Sequence, residues 1–369
     1  MPFSRRKALA LIGGGTIFAA GAAGGAFVST RTPKIALAPW DQAGGYDDPR
    51  LRALSFALLA PSPHNLQPWL AELRGEDQIV IWQDPDRTLP HTDPNGRQLT
   101  IGMGCFLELM DLAAGQEGHG VDTVLFPEGA DGPVAIATLV SDQAEPDPLF
   151  QHVMERRSCK EPFAADPVPA AAVDALTPLA TVITAPEDVE ALRSLTWKAW
   201  QIEVATPRTH KESVDLMRFG KREINANPDG IDLGGPLLEG LMLAGLLNSE
   251  KQLDPQSTSY KQGVAIYEEM LNATPAYVAL VSEGNGAGAH IKAGRDWLRL
   301  NLTTTSLGLA LHPVSQALQE YPEMEAPYRE LHAMLAEPGQ TVQMLGRLGR
   351  GPKTPRTPRW PLDARMRNA

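Results

Sequence analysis

Ala60-Pro61-Ser62-Pro63-His64-Asn65-Leu66-Gln67-Pro68-Trp69 is the stretch on which the reading of this 369-residue chain turns. Its prolines hold the segment extended and reduce the entropy lost when it is ordered. Between them, Asn65 and Gln67 carry carboxamides with both donors and acceptors. They can pair with a heterocyclic edge on which carbonyl oxygens alternate with an N–H. Ser62, Pro63 and His64 share the loop and are candidate ligands with them. The competing reading is an ordinary polar loop ahead of a strand, and Trp69 reads as a core anchor on either view. Upstream, residues 48–59 place apolar side chains at helical spacing and stop at the Pro61/Pro63 break, so the loop follows a helix.

A second motif, Glu155-Arg156-Arg157-Ser158-Cys159-Lys160-Glu161-Pro162-Phe163, has different chemistry. A phosphate monoester carries roughly two negative charges at neutral pH. It favours the planar donor fork of arginine, a hydroxyl and a nearby ammonium. Arg156, Ser158 and Lys160 supply that set, with Arg157 beside them. A solvated basic turn is the alternative.

Around these motifs the periodicity describes two stretches of similar order. In the first, residues 78–82 read as a strand, 84–96 as a loop, 99–116 as a long apolar helix and 121–126 as a strand. In the second, residues 276–281 read as a strand, 282–290 as a Gly-rich loop, 295–309 as a helix and 310–314 as a strand. Gly96-Arg97 ahead of the first helix answers Gly294-Arg295 ahead of the second. The expected fold class is α+β with an internal duplication: residues 1–33 as a leader, 48–150 as the first half and 151–369 as the second. The acidic, Pro-containing residues 142–150 read as a linker.

S-P-H-N-x-Q-P-W resembles the S-x-x-N-x-Q-P-W signature of the nitroreductase family, and R-R-S-x-K is similar to that family's R-R-S-x-R opening, with Pro162 as an extra residue before the phenylalanine. The resemblance covers most of the chain after the leader and is closest to the single-chain, duplicated Acg-like branch. It implies a nitroreductase-like fold in which one chain mimics the family's homodimer. It also implies an FMN site built from Ser62, Pro63, His64, Asn65 and Gln67 together with Arg156, Arg157, Ser158 and Lys160. In ordinary members the two elements come from different subunits. Here no second copy of either is found, so one composite site and a monomer are expected. The tail Pro358-Arg359-Trp360-Pro361 is similar to the family's closing segment, and Arg359 is the candidate for returning to the flavin phosphate; a solvated Pro-rich tail is the alternative. The implied activity is oxidoreduction of small quinone-like or nitroaromatic electron acceptors, with a flavin-sequestering protein as the alternative. The flavin carries the hydride, so no catalytic side chain is assigned.

The remaining composition narrows the partners. A formal net charge of -11 disfavours nucleic acid, whose affinity rests on Lys and Arg neutralising phosphates. Two cysteines and eight histidines show no metal-ligand spacing, so no metal is expected. Ser4-Arg5-Arg6-Lys7 ahead of the apolar run Ala8 to Val28 has the order of a twin-arginine export signal, with a membrane anchor as the alternative. Either address predicts a body outside the cytoplasm, where nicotinamide donors are not expected. Residues 219–235 are a candidate cover for the flavin. Gly284-Asn285-Gly286-Ala287-Gly288-Ala289 also matches a dinucleotide-loop pattern, but no acidic residue ends a second strand about 20 positions on.

Overall fold

The computed structural model describes residues 30–367, so the paired arginines and the apolar run before Thr30 lie outside the described residues. The chain enters through helix α1 (Lys34–Gln42), whose Trp40 is buried. Helix α2 (Pro49–Ala57) starts where Asp48 accepts from the Arg50 backbone N–H at 2.8 Å. Pro49 occupies the first helical position, where a missing N–H costs nothing. Strands β1 (Trp69–Arg74) and β2 (Gln78–Gln83) form a hairpin, followed by α3 (Arg97–Gly115), β3 (Gly120–Leu125) and β4 (Ala135–Val140). The four strands make an antiparallel sheet in the order β1-β2-β4-β3.

A second sheet has the same plan. After α4 (Ala170–Leu176) comes edge strand β5 (Thr181–Ile183). Then follow α5 (Pro186–Ala205), α6 (Pro207–Asp215), β6 (Met217–Phe219), α7 (Gly220–Ala226), β7 (Ile231–Leu233), α8 (Pro236–Leu243), α9 (Ser249–Leu253) and α10 (Thr258–Asn272). Strand β8 (Ala276–Glu283), α11 (Ala287–Ser306), β9 (Ala310–Pro313), α12 (Glu325–Leu335) and β10 (Gln340–Gly349) follow. The sheet order is β5-β8-β10-β9, again antiparallel, so each strand has a counterpart in the first sheet. The difference lies between the first two strands: residues 75–77 in one sheet, the whole insertion 184–275 in the other.

Helices α3 and α11 join the two sheets. Their backbones touch at Gly104 and Gly294. A Cβ on Gly104 would stand 2.1 Å from the Ile291 carbonyl oxygen, and one on Gly294 2.0 Å from that of Ile101. One core cluster spans both sheets, from Trp69, Ile79 and Phe106 to Trp297, Leu298 and Leu348. Trp69 is fully buried and stacks on Phe106 at 4.9 Å between ring centroids. A second cluster around Leu192, Leu195, Met270 and Leu345 lies where the insertion meets the second sheet.

The α+β class is as expected, but several local readings change. The second long helix begins at Ala287, capped by Gly286, so Gly294-Arg295 lies inside it and does not correspond to Gly96-Arg97. The glycine that answers Gly294 is Gly104, at the crossing. Strand β10 carries no polar alternation because it is buried along nearly its whole length, which removes the two-residue period. Residues 142–150 are mostly exposed but anchored at their end, where Asp147 accepts from Arg299 Nη2 at 2.8 Å and Phe150 meets Phe56 edge-on at 4.9 Å. The dinucleotide alternative fails on topology, since β8 has only antiparallel neighbours and no βαβ unit follows it.

Candidate functional site

The loop after α2 is held in an uncommon conformation. His64, Asn65 and Gln67 have φ of 46°, 55° and 52°, the left-handed region that costs a non-glycine residue on the order of 1 kcal/mol. Hydrogen bonds and packing offset that strain. Ser62 Oγ accepts from the Gln67 backbone N–H at 2.9 Å, and Pro63 lies against Gly102 of α3, where an added Cβ would meet its Cδ at 3.2 Å. Gln67 is fully buried and braces three segments: its Nε2 donates to the Pro228 carbonyl at 2.7 Å, and its Oε1 accepts from the Trp360 backbone N–H at 2.9 Å. Its carboxamide thus ties the loop to the 228 region and to the tail. Asn65 is half-buried and tied to the tail, donating to the Pro358 carbonyl at 3.1 Å and accepting from Arg359 Nη1 at 2.8 Å.

Both motifs and the tail meet at this loop. Arg156 donates to the Leu59 carbonyl at 2.9 Å and to Asn301 Oδ1 of α11 at 3.0 Å. Arg359 donates to the Leu59 and Ala60 carbonyls at 3.0 and 3.1 Å. Arg157 lies over the Trp40 ring at 4.8 Å, with Arg359 over the same ring at 5.6 Å. Ser158 is half-buried and its backbone bridges to Leu311, while Lys160 is exposed. Arg359, some 200 positions away and expected beside the same phosphate from the tail's resemblance, shares the Leu59 carbonyl with Arg156.

The electrostatics of this group are unusual. Among the described residues, no carboxylate forms an ion pair with Arg156, Arg157 or Arg359. Burial, with repulsion from Arg157, holds the Arg156 guanidinium down to about 10. Burial, with repulsion from Arg156 and Arg157, holds that of Arg359 down to about 9. Burial and Arg356 lower Arg157 as well. Arg156 and Arg359 are buried and Arg157 is half-buried beside them; Asp232 and Glu155 offset part of the repulsion on Arg359 and Arg157 from a distance, and holding these cations without a direct ion pair is costly. The Nε–H groups of Arg157 and Arg359 are buried without a hydrogen-bond partner. Burial, and then the Lys160 charge, hold His64 down to about 4, so its imidazole is neutral.

Residues 216–233 lie against the loop. The Gly230 N–H reaches the Asn65 carbonyl at 3.4 Å, and Leu216 packs with Leu66, Leu89 and Leu99. Asp229 fastens the segment, accepting from Arg87 Nη1 at 2.6 Å, Arg218 Nη2 at 2.7 Å and the Trp360 indole N–H at 2.9 Å. Burial alone would raise its carboxyl, but hydrogen bonds from Arg87, Trp360 and Arg218 outweigh it and hold the group low. Trp40, Arg87, Asn301 and Asp229 were not recognisable beforehand. Only Trp360, beside Arg359 in the P-R-W-P run, carried a local signal.

No family profile matches the chain. Over 120 residues it is 31% identical to a putative NAD(P)H nitroreductase of Mycobacterium tuberculosis, covering 31% of this chain and 34% of that protein. Over 124 residues it is 31% identical to the putative NAD(P)H nitroreductase acg of the same organism, covering 31% and 36%. The match thus spans about a third of these relatives' length. Among solved structures it is similar to the FMN-dependent nitroreductase NfnB from Mycobacterium smegmatis, in complex with NADPH, at 19% identity and a TM-score of 0.37, covering 60% of this chain and 98% of that one. It is also similar to a putative nitroreductase from Anabaena variabilis at 10% identity and a TM-score of 0.44, covering 80% and 82%.

Proposed function

We propose that this chain binds one FMN between the 60–67 loop, the 156–160 segment and the tail around Arg359, and acts as a nitroreductase-like oxidoreductase on small quinone-like or nitroaromatic compounds. The observation that carries the reading is the group Arg156, Arg157 and Arg359: two buried cations and a half-buried one from distant segments, none in a direct ion pair with a described carboxylate, two with an unused buried N–H. A phosphate monoester fits that donor set, because its dianion neutralises several guanidiniums at once and accepts several hydrogen bonds. Ser158 and Lys160 adjoin it in sequence. Bound FMN would supply hydride acceptance and donation. The chain's own residues would hold the phosphate, set the loop through Ser62 and Asn65, and keep water from the ring with the 216–233 segment. His64, being neutral, would offer one donor and one acceptor.

The names of the curated relatives support the redox reading. The matching strand orders support a duplication in which one polypeptide supplies both halves of the family's dimer. Export through the twin-arginine machinery belongs to the same proposal and rests on the Ser4 to Val28 sequence; it would require a reductant other than cytoplasmic NADPH. Sequestration of flavin is the second reading, favoured by the Asp229 clamp that fastens the covering segment over the loop.

The test is an absorbance spectrum of the full chain purified with FMN, followed by anaerobic NADPH. A flavin band that bleaches supports turnover; a band that persists supports storage or another donor. Arg156→Ala with Ser158→Ala is expected to weaken FMN binding by about a hundredfold to ten-thousandfold, since each of the two phosphate contacts is worth about 1.5–3 kcal/mol. A folded double variant that keeps its flavin would sink the phosphate assignment.

A further inference from the structure

We infer that α8 and the turn after it form a bilayer-docking face, continuous with the apolar run before Thr30. Residues 236–247, Pro-Leu-Leu-Glu-Gly-Leu-Met-Leu-Ala-Gly-Leu-Leu, contain one charged side chain. Leu243 is 78% exposed, and Leu237 and Leu246 are 42% exposed each. Three large apolar side chains displayed within ten residues are unusual for a surface that meets only water. The single charge, Glu239, is turned inward: Oε2 accepts from Arg31 Nη1 at 3.0 Å and Oε1 from the Lys221 N–H at 3.1 Å. The helix therefore presents a charge-free face.

The occupant is indicated by where the chain leaves this surface. Thr30 and Arg31 are fastened beside α8, by the Arg31–Glu239 pair and by Lys221 Nζ donating to the Thr30 carbonyl at 2.8 Å. Immediately before them the sequence runs from Ala8 to Val28 without a charge, close to the roughly 20 residues that cross a bilayer. A chain anchored there delivers α8 to the membrane surface. Its exposed leucines then enter the acyl boundary as those of an interfacial helix do. Ile35 of α1, a helix that like α8 packs on α7, is 71% exposed as well. The segment that covers the candidate site, 216–233, runs directly into α8, so docking would set that cover at the bilayer surface.

The test uses the full chain carrying Leu243→Cys labelled with an environment-sensitive nitrobenzoxadiazole dye. Cys105 and Cys159 are buried, which favours labelling at the introduced site. The chain is reconstituted into phosphatidylcholine vesicles containing doxyl-labelled phosphatidylcholine. Docking predicts a blue-shifted emission quenched by the doxyl lipid, while the same dye on Asp131→Cys, in the exposed β3–β4 connection, stays aqueous and unquenched. An aqueous dye at position 243 in vesicles overturns the proposal. So does a blue shift without lipid, whether the 8–28 run or a second copy covers the helix, and so does equal quenching at both positions. The outcome is independent of flavin content.

Discussion

His64 sits where the loop is most strained, and its titration reports on that loop. Unfolded, the imidazole takes up its proton near pH 6.5; folded, burial and Lys160 delay uptake to about 4. In that window the unfolded chain binds more protons. The stability present above about pH 6.5 is therefore lost as pH falls towards about 4. Denaturant unfolding across this range should show a steeper loss for the native chain than for His64→Asn, in which asparagine tolerates the left-handed φ. Equal slopes would mean that His64 is not held neutral by the fold. At this scale the sequence was partly legible. Arg156 and Asn65 stood in recognisable motifs, whereas the brace role of Gln67 depends on Pro228 and Trp360, which no local pattern connects to it.

Among the elements, the α3–α11 crossing and the covering segment each rest on a small number of atoms. Gly104→Ala or Gly294→Ala puts a methyl group near 2 Å from a backbone oxygen, so the helices must separate. A loss of about 3 kcal/mol or more is expected, read as a lower urea midpoint at unchanged slope. A midpoint within error of the parent would show that the crossing is looser than described. Asp229→Asn removes the charge that Arg87 and Arg218 share; Arg87 keeps its pair with Asp84 and both arginines are half-buried, so a cost of about 1–2 kcal/mol is expected. Amide exchange in residues 216–233 should accelerate and FMN should leave faster, while exchange in α3 stays as it was. Helices α3 and α11 were legible from their apolar periodicity, although α11 begins earlier than the 295–309 reading. The insertion 184–275 was not, because its short elements mix buried and exposed positions without a sustained period.

For the molecule as a whole, the two sheets match in order but not in what surrounds them. The α2–β1 connection, residues 58–68, carries the strained loop; the matching α4–β5 connection is only residues 177–180. One FMN per chain is therefore expected in a titration followed by absorbance, and two would reveal a second site. FMN should also raise the unfolding free energy by about 2.7 kcal/mol at a hundredfold excess over Kd. A melting temperature indifferent to FMN would argue against relief of the buried guanidiniums. The sequence by itself determined the α+β class, the long apolar helices, the P-S-P-H-N loop and the Arg-Arg-Ser segment, because local periodicity and motif chemistry are properties of neighbouring residues. Only the tertiary structure decided that Arg359 and Arg156 share the Leu59 carbonyl, that Gly104 meets Gly294 and that Asp229 fastens residues 216–233 beside the loop. Those contacts join residues far apart in the chain, and their energies exist only once the surrounding surfaces have been buried together.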